Sequence, residues 1–371
     1  MPLPFLLNPT LAQLPVYQPG RPIPEVAREL GLDPGDIIKL ASNENPLGPS
    51  PKAMAAMRGA IDHLHLYPDG NAFYLKQRLG DKLGLEAGHL ILGNGSNEII
   101  EFVGHAFVQP GAEVIVSQYC FAIYPIIAHL FGGKLITVPA LDLGHDLPAM
   151  LRAVTPRTRV VFVANPNNPT GTLASSEALA DFVRQVPAHV VIALDEAYLE
   201  FLEQPADFVQ WVRENQTPNL LLMRTFSKIY GLAGLRLGYG IGSPTVIAAL
   251  EKIRQPFNLN SLAQAAATAA IDDEEHVQRT RANNRVGLQY FQTQFREQSL
   301  RYVPSAANFI LVHVGDGGRV CAAMQTLGVI TRPMAGYGLS EWLRISIGTM
   351  DENRRCFAAL QAGVAQVAAS S

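Results

Sequence analysis

Five short runs in this chain are apolar almost from end to end, and the first three are each followed by a stretch with helical spacing. They are Glu113 to Val116, Lys134 to Val138, Arg159 to Ala164, Val190 to Asp195 and Leu220 to Met223. A strand that is apolar on both sides must be covered on both sides, and strands that alternate with helices pair parallel. The expected fold class is therefore α/β: a mostly parallel central sheet with helices on both faces. Leu237 to Gly242 follows the last run too closely for a helical crossover and is expected to pair antiparallel. A helix over 244–254, a break at Pro256 and one long helical stretch over 261–295 come next. Beyond them Phe309 to Val314, a helix over 319–327, a strand over Val329 to Arg332 and Trp342 to Ile347 read as a small α+β unit.

A chain of 371 residues exceeds what one core usually holds, so two units are expected. We expect a large unit over 48–258 and a small one built from 25–47 and 259–371. Residues 1–24 carry seven prolines, at 2, 4, 9, 15, 19, 22 and 24, which argue for an extended arm that needs a surface to lie on. The loop Ser42 to Pro49 holds more amide and carboxylate groups than a turn requires, yet by itself it reads as an ordinary Asn/Pro/Gly turn.

Ligands of an open α/β sheet collect at the carboxyl ends of its strands. Lys228 stands at such an end, after Thr225-Phe-Ser, with Ser227, Gly231, Gly234 and Arg236 around it. A lysine there is open to desolvation, which frees its amine near neutral pH to form a Schiff base with a carbonyl. Asp195 and Asn168 stand at or beyond the ends of two other strands. Gly93-Asn-Gly95-Ser96-Asn97-Glu98 joins a strand to a helix start, whose open N–H groups and positive dipole end suit an anion. A dinucleotide is the rival occupant, but the third glycine of its fingerprint is missing and Glu98 stands in its place. A single phosphate is the better match. Lysine, anion site, strand-end carboxylate and amide together are what pyridoxal phosphate asks for, and Phe121 or Tyr124 is placed to cover its ring.

A net charge of -3 provides no basic patch for nucleic acid, and no apolar run approaches the ~20 residues of a membrane span. Cys120, Cys321 and Cys356 form neither a disulfide framework nor a metal-ligand spacing. The first residues lack the basic start and apolar core of a signal peptide, so a cytoplasmic protein is expected.

The motifs Asn43-Glu-Asn-Pro, Tyr67-Pro-Asp-Gly, Gly93-Asn-Gly-Ser-Asn-Glu, Asn165-Pro-Asn-Asn-Pro-Thr-Gly, Asp195-Glu-Ala-Tyr, Thr225-Phe-Ser-Lys and Gly234-Leu-Arg-Leu-Gly-Tyr, with Arg332 and Arg344, span nearly the whole chain. In them the sequence resembles the class II, fold-type I aminotransferases that depend on pyridoxal 5'-phosphate, and within these the branch acting on histidinol phosphate. The resemblance implies that Lys228 is the Schiff-base lysine and proton shuttle. It implies that Asp195 pairs with the ring nitrogen, while Asn168 and Tyr198 bond the ring's phenolic oxygen. Gly95, Ser96, Asn97, Ser227 and Arg236 would hold the phosphate, with Tyr67 reaching in from the second subunit of a homodimer. Phe121 falls where relatives often carry a tyrosine on the ring face. Arg344, helped by Arg332 and Tyr17, would grip the anionic end of the substrate. The implied reaction exchanges the amino group of L-histidinol phosphate with 2-oxoglutarate. The alternatives within the same fold are an aromatic amino acid aminotransferase and a threonine-phosphate decarboxylase.

Overall fold

The computed structural model describes residues 10, 11, 14, 16 and 20–370. Tyr17 lies outside them. In chain order the strands are β1 (Ile38–Lys39), β2 (Leu90–Asn94), β3 (Glu113–Ser117), β4 (Lys134–Val138), β5 (Thr158–Ala164), β6 (Val191–Asp195), β7 (Leu220–Thr225), β8 (Leu237–Gly242), β9 (Tyr302–Val303), β10 (Phe309–His313), β11 (Val329–Ile330), β12 (Arg332–Met334) and β13 (Leu339–Ser346).

Seven of them form one sheet in the order β2-β8-β7-β6-β5-β3-β4. Only β8 runs against its neighbours. Successive side chains of a strand point to opposite faces, and here each face has its own core. Val161, Val163, Ile192, Leu194, Leu220 and Leu222 belong to one. Val160, Phe162, Val191, Ala193, Leu221 and Met223 belong to the other. All twelve are buried. At roughly 1.5–3 kcal/mol for each large side chain, a one-residue slip of any central strand exchanges its whole set between cores and is strongly resisted.

The second sheet, β12-β13-β10-β9, is antiparallel, and β1 pairs with β11 beside it. Its core takes Phe291 and Phe295 from the helix Glu274–Glu297, Val320 and Met324 from Gly317–Thr326, and Phe357 and Leu360 from Met350–Ala369.

Two sequence expectations are corrected. The long helical stretch over 261–295 is two helices, Ser261–Ala270 and Glu274–Glu297. The first buries Ala263, Ala266, Ala267 and Ala270 in the core that holds Leu75 and Leu79 of the large unit. Lys82 and Lys52 take the carbonyls of Ile271 and Asp272 where it ends, so the chain turns toward the small sheet with those groups satisfied. The expected strand over Val329 to Arg332 is also two. The chain leaves β1 at Ile330 and joins β13 at Arg332, changing sheets at the buried Thr331.

Candidate active site

At the carboxyl ends of β5, β6 and β7 lies a cavity of about 350 Å³. It is lined by Ser96, Asn97, Phe121, Asn168, Asp195, Tyr198, Ser227, Lys228 and Arg236, among others. Nine of the expected residues therefore meet in one place. Gly95 adjoins them as the residue before the helix Ser96–Phe107, with φ +77. A Cβ there would collide with the Arg236 guanidinium, so the glycine is what lets that cation reach the helix start. Arg236 Nη1 also donates to Ser227 Oγ at 3.4 Å. The helix starts with no side-chain cap. Its first N–H groups, two serines, an asparagine and an arginine thus converge at one end of the cavity, a set of donors suited to a dianion.

Asp195, the last residue of β6, lines the same cavity. Its Oδ2 accepts from the Tyr124 hydroxyl at 2.7 Å and its Oδ1 from the Ala197 N–H at 3.1 Å. Burial raises its pKa in spite of these bonds. No ion pair closes on it among the described residues, and the Lys228 charge acts on it only without contact. Tyr124 is committed to that bond: it is fully buried and stacks on Phe162 at 4.5 Å. Of the two aromatic candidates for the cavity wall, Phe121 is the one that lines it.

Lys228 follows β7 by three residues. Its Nζ donates to the Ser42 carbonyl at 3.3 Å. Burial, reinforced by Arg344 and Arg236, lowers its pKa to about 8. The turn after it presses on the 42–49 loop, where Asn45 Nδ2 holds the Ile229 carbonyl at 2.8 Å and Thr280 Oγ1 at 3.1 Å. The reading of that loop as an ordinary turn is thereby corrected: it closes one side of the lysine. Its surplus of amides was the available signal.

Arg344 on β13 is 7% exposed; it donates to Asn168 Oδ1 at 2.6 Å and to the Ala41 carbonyl at 3.1 Å. The Asn168 oxygen is thus engaged, and its amide nitrogen is left as the donor on the cavity side. Arg332 is the direct cross-strand partner of Arg344. Tyr67 is not in this cavity; it is 83% exposed and stacks on Phe257 at 4.8 Å.

The family profile for class I and II aminotransferases matches residues 35–360. The chain belongs to that family. This aminotransferase is 53% identical over 361 residues to histidinol-phosphate aminotransferase 2 of Ralstonia nicotianae, with 96% of each chain covered. It is 50% identical over 355 residues to the histidinol-phosphate aminotransferase of Akkermansia muciniphila, covering 95% of this chain and 97% of that one. Its fold matches the crystal structure of histidinol-phosphate aminotransferase from Sinorhizobium meliloti in complex with pyridoxal-5'-phosphate. The TM-score is 0.86 at 28% identity, over 97% of this chain and 98% of that one.

Proposed function

We propose that this aminotransferase exchanges the amino group of L-histidinol phosphate with 2-oxoglutarate, giving imidazole-acetol phosphate and glutamate in histidine biosynthesis. Relatives named for that activity, half identical over almost the full chain, support it. The observation that carries it is the Arg332–Arg344 pair. As direct cross-strand partners the two side chains stand on the same face of the small sheet. A carboxylate needs one bidentate arginine, so two favour a phosphate dianion.

The cavity residues fit pyridoxal phosphate by their own chemistry. Ser96, Asn97, Ser227 and Arg236, with Gly95 at the helix start, suit the phosphate. The buried Asp195 carboxylate, in no ion pair among the described residues, suits a protonated ring nitrogen, and Phe121 suits the ring face. Asn168 and Tyr198 suit an oxygen acceptor, and Lys228 Nζ is the amine for the carbonyl carbon. When bound, the cofactor supplies an electron sink that makes the substrate's carbon-bound proton acidic. Lys228 Nζ, with a pKa of about 8, keeps a useful fraction of free amine at neutral pH and is the base that moves that proton. Asp195 keeps the sink charged, and Tyr124 keeps Asp195 in place.

We assign the rest of the active assembly to a homodimer. Leu66, Tyr67, Phe73, Tyr74 and Phe257 are all exposed, an aromatic face that suits a second copy of the chain. Phe257 precedes Asn258, whose amide holds Glu98 at 2.7 Å in the first turn of the Ser96 helix. The face therefore lies close to the dianion end of the cavity, which favours Tyr67 serving the other subunit's site. The two-unit division at 48–258 remains our reading, with the Ser261 helix moved to the large unit. Three buried free cysteines fit a reducing, cytoplasmic setting. Among the described residues no helix is long and apolar enough to cross a membrane.

The test is a ratio of kcat/KM values on one preparation. Histidinol phosphate is expected to exceed phenylalanine and tyrosine by at least about tenfold, roughly 1.4 kcal/mol. Arg332→Ala is expected to reduce that ratio. A preference for phenylalanine moves the chain to the aromatic amino acid aminotransferases, and carbon dioxide release from threonine phosphate moves it to the decarboxylases.

A further inference from the structure

We infer that Asn43 is a positioning residue: together with Ser346 it fixes the direction of the Tyr198 hydroxyl proton and so makes Tyr198 a donor into the cavity. The inference rests on the reading that the cavity takes pyridoxal phosphate.

Three bonds tie the relay together. The Asn43 backbone N–H donates to Ser346 Oγ at 2.8 Å. The Ser346 hydroxyl donates back to Asn43 Oδ1 at 3.0 Å. With its oxygen taken, the Asn43 amide presents Nδ2 to the Tyr198 hydroxyl oxygen at 2.9 Å. A phenol has one proton. Tyr198 accepts from Asn43, so its own proton must point elsewhere, and the open side is the cavity that Tyr198 lines. Burial pushes the phenol up to about 12, so the proton is present at any working pH.

The opposite amide orientation is disfavoured by the serine. It would direct Nδ2 at an Oγ that already accepts the backbone N–H. The proton of Ser346, a residue only 2% exposed, would then have lost its acceptor. Asn43 cannot turn as a whole either. Its carbonyl is held by Asn308 Nδ2 at 3.0 Å, and its backbone sits at φ 56, a conformation asparagine tolerates better than most residues. Asn168, the other polar residue at that point, is polarised in the same sense by Arg344. Arg344 and Ser346 are two residues apart on β13 and so share a face. One strand of the small unit thus aims both donors at one acceptor oxygen.

The experiment is a pH titration of the visible absorption band of the pyridoxal-phosphate-loaded protein. A donor to an oxygen anion favours the anionic form, so its loss raises the midpoint. Tyr198→Phe is expected to raise it by about one pH unit. Asn43→Asp replaces the Nδ2 donor by an acceptor, draws the Tyr198 proton out of the cavity and raises the midpoint by a similar amount. In a Tyr198→Phe background the same Asn43→Asp change is expected to add little. A shift that persists undiminished in that background is a direct charge effect and overturns the relay. So do Asn43 variants that lower the melting temperature but leave the midpoint in place. If Asn43→Asp does not fold, Ser346→Ala releases the amide and raises the midpoint by a smaller amount; an unmoved midpoint overturns the relay. Failure of the underlying reading is distinct: the unmutated protein would show no visible band, and borohydride would fix nothing on Lys228.

Discussion

A lysine amine kept out of water is costly to charge, and Lys228 carries that cost in the cofactor-free chain. Its pKa in the fold, about 8, lies below the ~10.4 of a free side chain. Between those two values the unfolded chain binds more protons than the folded one, so stability rises with pH there. Lys228→Ala should therefore stabilise the cofactor-free protein at pH 7, on the order of 2 kcal/mol, and the advantage should fade by pH 10. Denaturant unfolding at the two pH values measures it. Equal stability of both proteins at pH 7 would mean that the amine is hydrated. The same variant should lose turnover, and borohydride reduction of the loaded wild type should fix cofactor mass on the peptide holding Lys228. That lysine was legible in the sequence because a buried strand led up to it. Asn43 and Tyr124 were harder to read. Their partners, Ser346 and Asp195, are far along the chain, and a hydrogen bond between distant residues leaves no periodic trace.

Among the elements, the central runs that became β5, β6 and β7 were read correctly because a strand covered on both faces has no polar position to blur its ends. The helix break at 271–273 and the change of sheet at Thr331 were not legible. Both are set by what the chain packs against next: the Ser261 helix on the large unit's core, and β1 giving way to β13 as the pairing partner. The amino end of the large sheet holds a separate clamp. Glu113, at the start of β3, accepts from Thr155 Oγ1 at 2.5 Å, from Arg157 Nη2 at 2.8 Å and from Lys134 Nζ at 3.4 Å, tying β3 to β4 and to the turn before β5. Thr155 and Arg157 lead the groups that lower its pKa to about 2, from an ordinary 4.5. The stabilisation is present in full above pH 4.5 and is lost as the pH falls toward 2. Glu113→Gln should cost about 1–3 kcal/mol at pH 7 and flatten the acid limb of the unfolding curve. An unchanged acid limb would show the clamp to be idle.

For the whole molecule, the exposed aromatic face around Tyr67 and Phe257 predicts a dimer in solution, measurable by sedimentation. Mixing Tyr67→Phe subunits with Lys228→Ala subunits should give mixed dimers in which one site has both residues, recovering part of the activity that either parent lacks. A fully active monomer would refute the arrangement. The site also has a place in time. The groups that orient Asn168 and Tyr198 come from the loop after β1 and from β13, and in the sequence the whole large sheet lies between them. A ribosome finishes every strand of that sheet before it makes Arg344 and Ser346. The groups that orient Asn168 and Tyr198 on the β13 side are thus among the last of the site to be synthesised.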